Sequence, residues 1–311
     1  MSHPIKIAIV GLGKIARDQH VPTLTASGAF ELIAVASPRS KLDGVPSYET
    51  LEALLTSHPE VAAVALCTTP QVRYDVAAQA LERGCHVLLE KPPGVTVSEV
   101  QALADIARRK RVALFASWHS RHAAAVEAAR AWLAGRTLTQ VLVTWKEDVR
   151  VWHPGQDWIW KAGGLGVFDP GINALSILTR ILPGGPLFVR EAELSYPSNC
   201  ETPIAAQLHL RDPRGTPITV ELDFLQTGPQ SWDIVVETTD AGSLTLSSGG
   251  TRMRVNDRDV AVPETPEYAN LYAHFATLVA TRSIDADVAP LQLVADALLC
   301  GRHFEAAPFH G

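Results

Sequence analysis

The stretch IKIAIVGLGKIA, residues 5–16, decides the fold of the first part of the chain. The run at residues 5–11 predicts a buried strand, and the residues after it predict the start of a helix. Gly11, Gly13 and Ala16 form the pattern GxGxxA, a dinucleotide-binding fingerprint with alanine at its third position. Gly11 permits the tight turn, and Gly13 lets the backbone approach a pyrophosphate that the helix N-terminus stabilises. The alternative is a glycine-rich turn that binds nothing. The expected cofactor contacts are Gly11, Gly13, Lys14, Ile15 and Ala16.

Strand and helix patterns alternate from the N-terminus to Trp118. Apolar runs that suit strands are separated by stretches with helical periodicity, such as residues 72–83. Strands that are apolar on both faces and alternate with helices indicate a parallel sheet covered on both sides. The predicted strands are residues 5–11, 31–37, 61–68, 85–90 and 112–118.

The pattern changes after Trp118, where the later strand candidates alternate apolar and polar residues with period 2. Short turns that contain Gly or Asp join them, which is typical of an antiparallel sheet with one buried face. Helices return near residues 267–281 and 291–304. We predict an α/β protein, with a doubly wound Rossmann domain at residues 1–120 and an α+β domain with a mainly antiparallel sheet at residues 121–311. The last helix, residues 291–304, is expected to pack back on the first domain.

The composition of the 311-residue chain restricts its classes of partner. The formal net charge is −6 and no block of basic residues occurs, so nucleic acid and anionic membranes are poor candidates. The apolar runs are too short to cross a membrane and the first residues lack the features of a signal peptide, so we expect a cytoplasmic protein. The four cysteines are scattered without a CxxC pair, which predicts neither a metal site nor a disulfide framework.

The end of the second predicted strand bears on the choice between NAD and NADP. A site that prefers NAD usually has Asp or Glu there, which accepts hydrogen bonds from the ribose 2′-hydroxyl. This chain has AVASPRSK at residues 34–41, without a carboxylate. Ser37 can donate a hydrogen bond, and Arg39 can pair with a 2′-phosphate. We predict that NADP is accepted and preferred over NAD, the alternative being that Arg39 and Lys41 belong to an ordinary solvated loop.

Two further strand ends are CTTP at residues 67–70 and EKPPG at residues 90–94. Ligands of doubly wound sheets bind beyond the carboxyl ends of the strands. Lys91 would then project toward the nicotinamide, with the prolines fixing the loop that aims it. The alternative is a surface lysine paired with Glu90. The cofactor contacts expected here are Thr68, Thr69, Pro70, Glu90 and Lys91.

The segment GGLGVFDPGINALSI, residues 163–177, leads from glycines into an apolar helical pattern that begins near Asp169. Asp169 and Asn173 are four residues apart and therefore lie on one face of the helix. Both are candidates for contact with a substrate. Asp169 could instead cap the helix N-terminus and have no chemical role.

Six of the seven tryptophans fall within residues 117–121, within residues 145–160 or at position 232. Tryptophan faces commonly pack against the apolar C–H faces of sugars, while histidine and carboxylate groups hydrogen-bond to hydroxyls. The alternative is a tryptophan-rich core with capping histidines. The candidate substrate contacts are His119, Glu147, Trp152, His153 and Trp232, with Asp169 and Asn173.

Taken together, these segments resemble the Gfo/Idh/MocA family of NAD(P)-dependent sugar and polyol oxidoreductases over essentially the whole chain. Within that family the chain is most similar to the bacterial aldose 1-dehydrogenases that act on L-arabinose and D-galactose. The segments that carry the resemblance are GKIARDQHVP (13–22), EKPPG (90–94), WHSR (118–121), WKEDVRVWHPGQDWIW (145–160) and GGLGVFDPGINALSI (163–177).

The resemblance implies a Rossmann domain and a second domain with a large open sheet. It also implies homo-oligomers, dimers or tetramers, assembled through that sheet, and an aldose as the small-molecule substrate. The catalytic residues that it implies are Lys91, Asp169 and Asn173, with His119, Glu147 and His153 as further sugar contacts.

One departure from the family concerns Asn173, where many members carry a histidine that is usually taken as the general base. Asparagine cannot accept a proton at useful pH, so the base would be Asp169, or Lys91 as a neutral amine. The C1 hydroxyl of an aldose is more acidic than an ordinary alcohol, so a weaker base suffices there. The sequence thus predicts NAD(P)-dependent oxidation of an aldose at C1 to its lactone. The alternatives are another sugar or inositol dehydrogenase of the family, an NADP-binding redox sensor without turnover, and a structural protein.

Overall fold

The computed structural model describes residues 3–310, and β1 (Ile5–Val10) is the strand that the opening stretch predicts. It lies inside a seven-stranded sheet in which every neighbouring pair is parallel. The other strands are β2 (Phe30–Ala36), β3 (Ser47–Tyr48), β4 (Ala63–Leu66), β5 (His86–Leu89), β6 (Leu114–Ala116) and β15 (Ile284–Asp285). Their order is β15-β6-β5-β4-β1-β2-β3. The carboxyl ends of β1, β2, β4 and β5 therefore all lie along one edge of the sheet.

Helices cover both faces of this sheet, because its strands are apolar on both sides. One face packs against α1 (Val21–Thr25) and α8 (Glu267–Thr281). The opposite face packs against α2 (Leu51–Ser57), α3 (Pro70–Glu82) and α4 (Val97–Lys110). The predicted doubly wound parallel sheet is confirmed.

A second sheet of nine strands forms from the later part of the chain. Buried and more exposed residues alternate along its strands, so one face is buried, as the period-2 pattern predicts. The strands are β7 (Leu138–Lys146), β8 (Phe188–Pro197), β9 (Ala205–Arg211), β10 (Pro217–Asp223), β11 (Ser231–Thr238), β12 (Ser243–Ser247), β13 (Arg252–Val255), β14 (Arg258–Val260) and β16 (Arg302–Ala306). Their order is β14-β13-β12-β11-β7-β10-β9-β8-β16. Neighbours are antiparallel except β7 with β10 and β8 with β16.

The chain divides into two compact units, and their membership differs from the sequence expectation. The first unit runs to His119 and also includes Pro266–Val288, while the second contains Ser120–Thr265 and the chain from Ala289 onward. The segment that returns to the first unit is therefore α8 with β15. The last helix, α9 (Ala289–Cys300), packs in the second unit against α7 (Phe168–Ile181) and β8, contrary to the expectation. Two further helices of this unit are α5 (Val126–Leu133) and α6 (Val149–Trp152).

The apolar spacing of α8 explains why this helix returns to the parallel sheet. Its buried side chains recur every three or four positions and so form one continuous face. Phe275 stacks on Phe30 of β2, with ring centroids 5.6 Å apart. The buried residues are Tyr268, Leu271, Tyr272, Phe275 and Leu278.

The helix predicted at residues 291–304 is shorter in the structure, because α9 ends at Cys300 and the strand β16 follows. A Cβ atom at Gly301 would lie 2.5 Å from the Ala297 carbonyl oxygen, so only glycine fits between the two elements. Residues 302–306 then pair with β8, a partner that is distant in sequence.

Truncating a buried leucine of α8 tests whether this helix packs into the core of the first unit. Leu271 is fully buried, whereas Leu299 of α9 is 83% exposed. We expect Leu271→Ala to lower the free energy of unfolding by about 2–5 kcal/mol, because the change removes apolar burial and leaves a cavity. The matched change Leu299→Ala should alter it by less than about 0.5 kcal/mol. Urea denaturation followed by circular dichroism measures both, and equal losses would contradict the packing of α8.

Candidate active site

Gly11 is a glycine because the protein's own backbone leaves no room for a side chain. Its φ is +89°, and a Cβ atom there would lie 2.7 Å from the carbonyl carbon of Cys67 and the nitrogen of Thr68. Its N–H donates to the Ala36 carbonyl oxygen at 2.9 Å. The turn after β1 thus contacts the ends of β2 and β4 directly.

Gly13 differs from Gly11, because no protein atom within residues 3–310 lies within 4 Å of the position that its Cβ would occupy. Its φ also lies outside the left-handed region, so neither packing nor conformation within the protein requires a glycine. Open space beside the backbone at a helix start is what the close approach of a pyrophosphate needs. Ala16 is fully buried, which suits the third fingerprint position, where helix and strand pack closely. The turn therefore fits a dinucleotide.

Thr68, Thr69 and Pro70 lie where β4 ends and α3 begins. Thr69 is the N-cap of α3, and Pro70 takes the first helical position, where proline is favoured. The Oγ1 of Thr68 is buried and has no hydrogen-bond partner among the described residues. Unsatisfied buried hydroxyls are uncommon, so this atom is a second feature that fits a group bound at the strand end.

The loop after β2 is basic, as the sequence indicated. Ser37 donates its N–H to the Tyr48 carbonyl oxygen at 2.8 Å, and the side chain of Arg39 is exposed. Arg17 lies on the helical segment after the fingerprint and donates to the carbonyl oxygen of Lys41 at 3.0 Å. Arg17 was missed by the sequence analysis, although it directly follows the GxGxxA pattern. Two cationic groups, Arg17 and Arg39, therefore border the loop that would meet the 2′-position of the cofactor ribose.

Glu90 follows β5 and is 2% exposed. Its Oε1 accepts hydrogen bonds from His20 Nε2 at 2.9 Å and from the Tyr268 hydroxyl at 2.7 Å. Its Oε2 accepts the backbone N–H of Lys91 at 2.9 Å. The second ring nitrogen of His20 lies 2.7 Å from the Tyr272 hydroxyl oxygen. This carboxylate is thus part of a buried cluster rather than a solvated surface pair.

The surroundings of Glu90 and His20 favour the charged form of both side chains. Burial acts to raise the pKa of Glu90, but the hydrogen bond and charge of His20 outweigh it and lower this pKa to about 2. Burial likewise acts to lower the pKa of His20, but Cys67, Tyr272 and Glu90 around it raise that pKa well above its usual range. The carboxylate and the imidazolium form the kind of matched pair that a buried charge requires. Direct contact of Glu90 with the cofactor stays a prediction.

Arg73 of α3 joins the two strand ends. Its side chain is buried and donates to the backbone carbonyl oxygens of Thr68, Glu90 and Pro92. The sequence does not indicate this role, because an arginine in a helix is usually solvated and the spacing of Arg73 gives no sign of burial. Arg73 therefore fixes the backbone of both segments that the sequence assigned to the cofactor.

In the second unit, Asp169 lies in the first turn of α7 and is 3% exposed. The N-cap of this helix is Val167, which makes no side-chain cap bond, so the reading of Asp169 as the cap is wrong. The positive end of the helix dipole favours a carboxylate at this position. Asn173 follows one turn later on the same face.

His153 lies between two carboxylates. Its Nε2 is 2.8 Å from Glu147 Oε1, and its Nδ1 is buried 3.5 Å from Asp169 Oδ2 but makes no hydrogen bond among the described residues. The Trp232 indole N–H donates to Glu147 Oε2 at 2.7 Å. The structure therefore brings four predicted residues into one row, which we call the carboxylate–histidine row: Trp232, Glu147, His153 and Asp169.

The tryptophans that cluster in the sequence divide into core and surface residues. Trp145 is 3% exposed and stacks on Trp232, so it belongs to the core. Trp152 is 40% exposed and lies edge-on to Trp232, with centroids 4.7 Å apart, so its ring remains accessible.

His119 belongs to the first unit, where its Nδ1 lies 3.0 Å from Glu267 Oε2 and its ring stacks on Tyr268.

A pocket of 720 Å³ opens beside His153 within the second unit. Trp160 and Phe309 line it, with ring centroids 5.0 Å apart. Asn199 holds the backbone of Phe309 through two hydrogen bonds, of 2.7 and 2.9 Å. The sequence analysis did not point to Asn199 or Phe309, since neither carries a motif. Aromatic surface beside a histidine suits the C–H face and hydroxyls of a sugar.

No helix within residues 3–310 is both long and apolar enough to cross a membrane. In the same part of the chain, no three His, Cys, Asp or Glu side chains are grouped so that they could hold a metal ion.

Comparison with known proteins identifies the class. Residues 5–117 match the model of the Gfo/Idh/MocA oxidoreductase family, described as an NAD-binding Rossmann fold. The chain is 45% identical to galactose 1-dehydrogenase of Pseudomonas fluorescens over 307 residues, which cover 99% of each protein. The fold and the fingerprint turn are thus those of an NAD-binding oxidoreductase. The protein belongs to the Gfo/Idh/MocA family, and the resemblance seen in the sequence is confirmed.

Solved structures agree with this assignment. A D-galactose-1-dehydrogenase from Rhizobium etli superposes with a TM-score of 0.95 at 52% identity, covering 100% of this chain and 99% of that one. The 3-ketoreductase KijD10 from Actinomadura kijaniata, solved with NADP and TDP-benzene, has a TM-score of 0.83 at 18% identity, with 97% of this chain and 99% of that one covered. The second likeness shows the fold alone.

Adding one methyl group at Gly13 separates cofactor binding from folding. Because the space there is open, we expect Gly13→Ala to leave the melting temperature unchanged but to weaken NADP binding by roughly tenfold or more, a loss of about 1.4 kcal/mol. Gly28→Ala is the matched control, since Gly28 also has open space around its Cβ position and lies outside the fingerprint. Calorimetric titration with NADP measures both. Unchanged affinity in Gly13→Ala would contradict this placement of the pyrophosphate.

Proposed function

We propose that the protein oxidises an aldose at C1, with NADP or NAD as hydride acceptor, and releases the 1,5-lactone. D-Galactose is the proposed main substrate and L-arabinose a second one, because the two sugars share their ring stereochemistry. The observation that carries the proposal is the carboxylate–histidine row. It offers a buried carboxylate, Asp169, for the proton of the reacting hydroxyl, and an indole face and polar groups for the sugar. The names of the relatives of 45% and 52% identity support the choice of galactose.

Asp169 takes the proton of the C1 hydroxyl in this mechanism, and the ammonium of Lys91 stabilises the alkoxide that develops. The amide of Asn173 holds the C1 or ring oxygen. Glu147 fixes the orientation of His153, which bonds to a sugar hydroxyl, as does His119, while Trp152 and Trp232 pack against the ring. The nicotinamide, when bound, supplies the hydride acceptor.

Asp169 is preferred to Lys91 as the base, because a carboxylate offers oxygen atoms that can accept a proton, whereas a lysine ammonium only donates. Asn173 cannot replace it, since an amide does not accept a proton. A carboxylate is a weak base, which restricts the reaction to an acidic hydroxyl such as that at C1.

We further propose that NADP is preferred over NAD. The residues directly after β2, 37–41, include no carboxylate that could bind the ribose 2′-hydroxyl, whereas Ser37, Arg39 and Arg17 offer donors for a 2′-phosphate. The remaining contacts are assigned to the fingerprint turn and the strand ends, through Gly11, Gly13, Lys14, Ile15, Ala16, Thr68, Thr69, Pro70, Glu90 and Lys91.

The protein is proposed to act in the cytoplasm as a homo-oligomer, a dimer or tetramer assembled through the nine-stranded sheet. Apolar side chains on that sheet are exposed in the single chain, among them Leu142, Phe188 and Phe304. Burying them in an interface would be favourable.

Initial rates with a small set of sugars test the reaction. D-Galactose and L-arabinose should reduce NADP faster than NAD at equal concentration, and the lactone should be detected by NMR. Methyl β-D-galactoside is the matched control, because its C1 oxygen carries a methyl group and has no proton to lose. Turnover of the methyl galactoside would contradict oxidation at C1. Binding of NADP without reduction by any sugar would favour a redox sensor.

The role of Asp169 is tested by Asp169→Asn, which keeps the shape of the side chain but removes its basicity. We expect kcat to fall by about 10²–10⁴-fold, the usual contribution of a general base, while NADP affinity is unchanged. Asp212→Asn is the control, because Asp212 is also a buried carboxylate, in the turn between β9 and β10. Full activity in Asp169→Asn would remove Asp169 from this role.

A further inference from the structure

We propose that Glu90 is a positioning residue that holds Lys91 in its working orientation, together with Arg73. The inference rests on the proposed function, in which the Lys91 ammonium stabilises the alkoxide at C1. It gives Glu90 a role that acts through Lys91 and that requires no contact of Glu90 with the cofactor or the sugar.

Three hydrogen-bonded points fix the backbone around Lys91. The Glu90 carboxylate accepts the N–H of Lys91 itself at 2.9 Å. Arg73 donates to the carbonyl oxygens of Glu90 and Pro92, the residues on either side. The Lys91 backbone is therefore held from both directions by side chains that are themselves buried. The direction in which the Lys91 side chain leaves the backbone follows from these points.

The cluster needs a carboxylate at position 90 for a geometric reason. Glu90 accepts three hydrogen bonds, from His20, from the Tyr268 hydroxyl and from the Lys91 N–H. A glutamine has one acceptor oxygen, and its NH₂ group only donates, so the donors that now share two oxygens would compete for one.

A signal from Lys91 itself tests the proposal without any sugar. Reductive methylation with ¹³C-formaldehyde gives each lysine an NMR signal, and Lys91→Met identifies the one that belongs to Lys91. We expect a single sharp Lys91 signal in the wild-type protein with NADP bound. In Glu90→Gln that signal should split or broaden, because the hydrogen bonds by which the carboxylate fixes the Lys91 backbone are disturbed.

Two further variants control this experiment. Asp212→Asn also alters a buried carboxylate that accepts three hydrogen bonds, but its partners, Arg214 and Thr216, do not belong to the cluster around Glu90, so the Lys91 signal should stay unchanged. Arg73→Lys keeps the charge but cannot reach three carbonyl groups, and it should disturb the signal as Glu90→Gln does. If Glu90→Gln does not fold, Arg73→Lys replaces it in the experiment. A sharp, unshifted Lys91 signal in the folded variants at positions 90 and 73 would overturn the proposal.

Kinetics separate positioning from general damage to the fold. Displacing a catalytic group by about 1 Å costs roughly 10²-fold in rate, so Glu90→Gln should lower kcat with D-galactose by about that factor. In a Lys91→Met background the same change should cost less than about threefold, since the group that it positions is already absent. Equal losses in both backgrounds would overturn the proposal. If no aldose is oxidised at all, the proposed function fails, while the NMR experiment still decides the role of Glu90.

Discussion

The first unit depends on a buried carboxylate–imidazolium pair at the end of β5. A carboxylate buried alone is strongly destabilising, so Glu90 has to be matched by the charge of His20 and by hydroxyl and amide donors. These partners come from separate stretches: the helical segment after the fingerprint, the EKPPG loop and α8. The pair therefore holds three stretches together at the sheet edge where Gly13 leaves room for a pyrophosphate.

This constraint also gives a reason for the discontinuous first unit. The helix α8 follows eight of the nine strands of the second sheet in the chain, β7 to β14, yet it supplies Tyr268 and Tyr272 to the cluster and Phe275 to the core. A first domain that ended near residue 120 would lack α8, which together with α1 covers one face of the parallel sheet, and would leave the buried pair without its hydroxyls. The return of α8 thus completes the core and the strand-end site together.

Local patterns predicted most of the fold and the residue types of the site, but not their long-range partners. The strand β1, the GxGxxA turn and the basic loop after β2 could be read directly, because apolar runs and glycine positions are properties of neighbouring residues. The hydrogen bond of His20 to Tyr272 spans 252 positions, and nothing in either local sequence indicates the other. The pairing of β16 with β8 was missed for the same reason. In the second unit Glu147 and His153 were singled out by type, whereas their placement beside Asp169 required the fold.

A crystal structure of the protein with NADP and D-galactose is the most direct test, because it shows whether the Lys91 ammonium and the Asp169 carboxylate act on the same reacting carbon. The account predicts that Lys91 Nζ and an Asp169 carboxylate oxygen both lie within hydrogen-bond distance, about 3.2 Å or less, of the oxygen on C1. It also predicts that C1 faces the nicotinamide ring. A sugar whose C1 oxygen contacts neither side chain, or which presents another carbon to the nicotinamide, would contradict it.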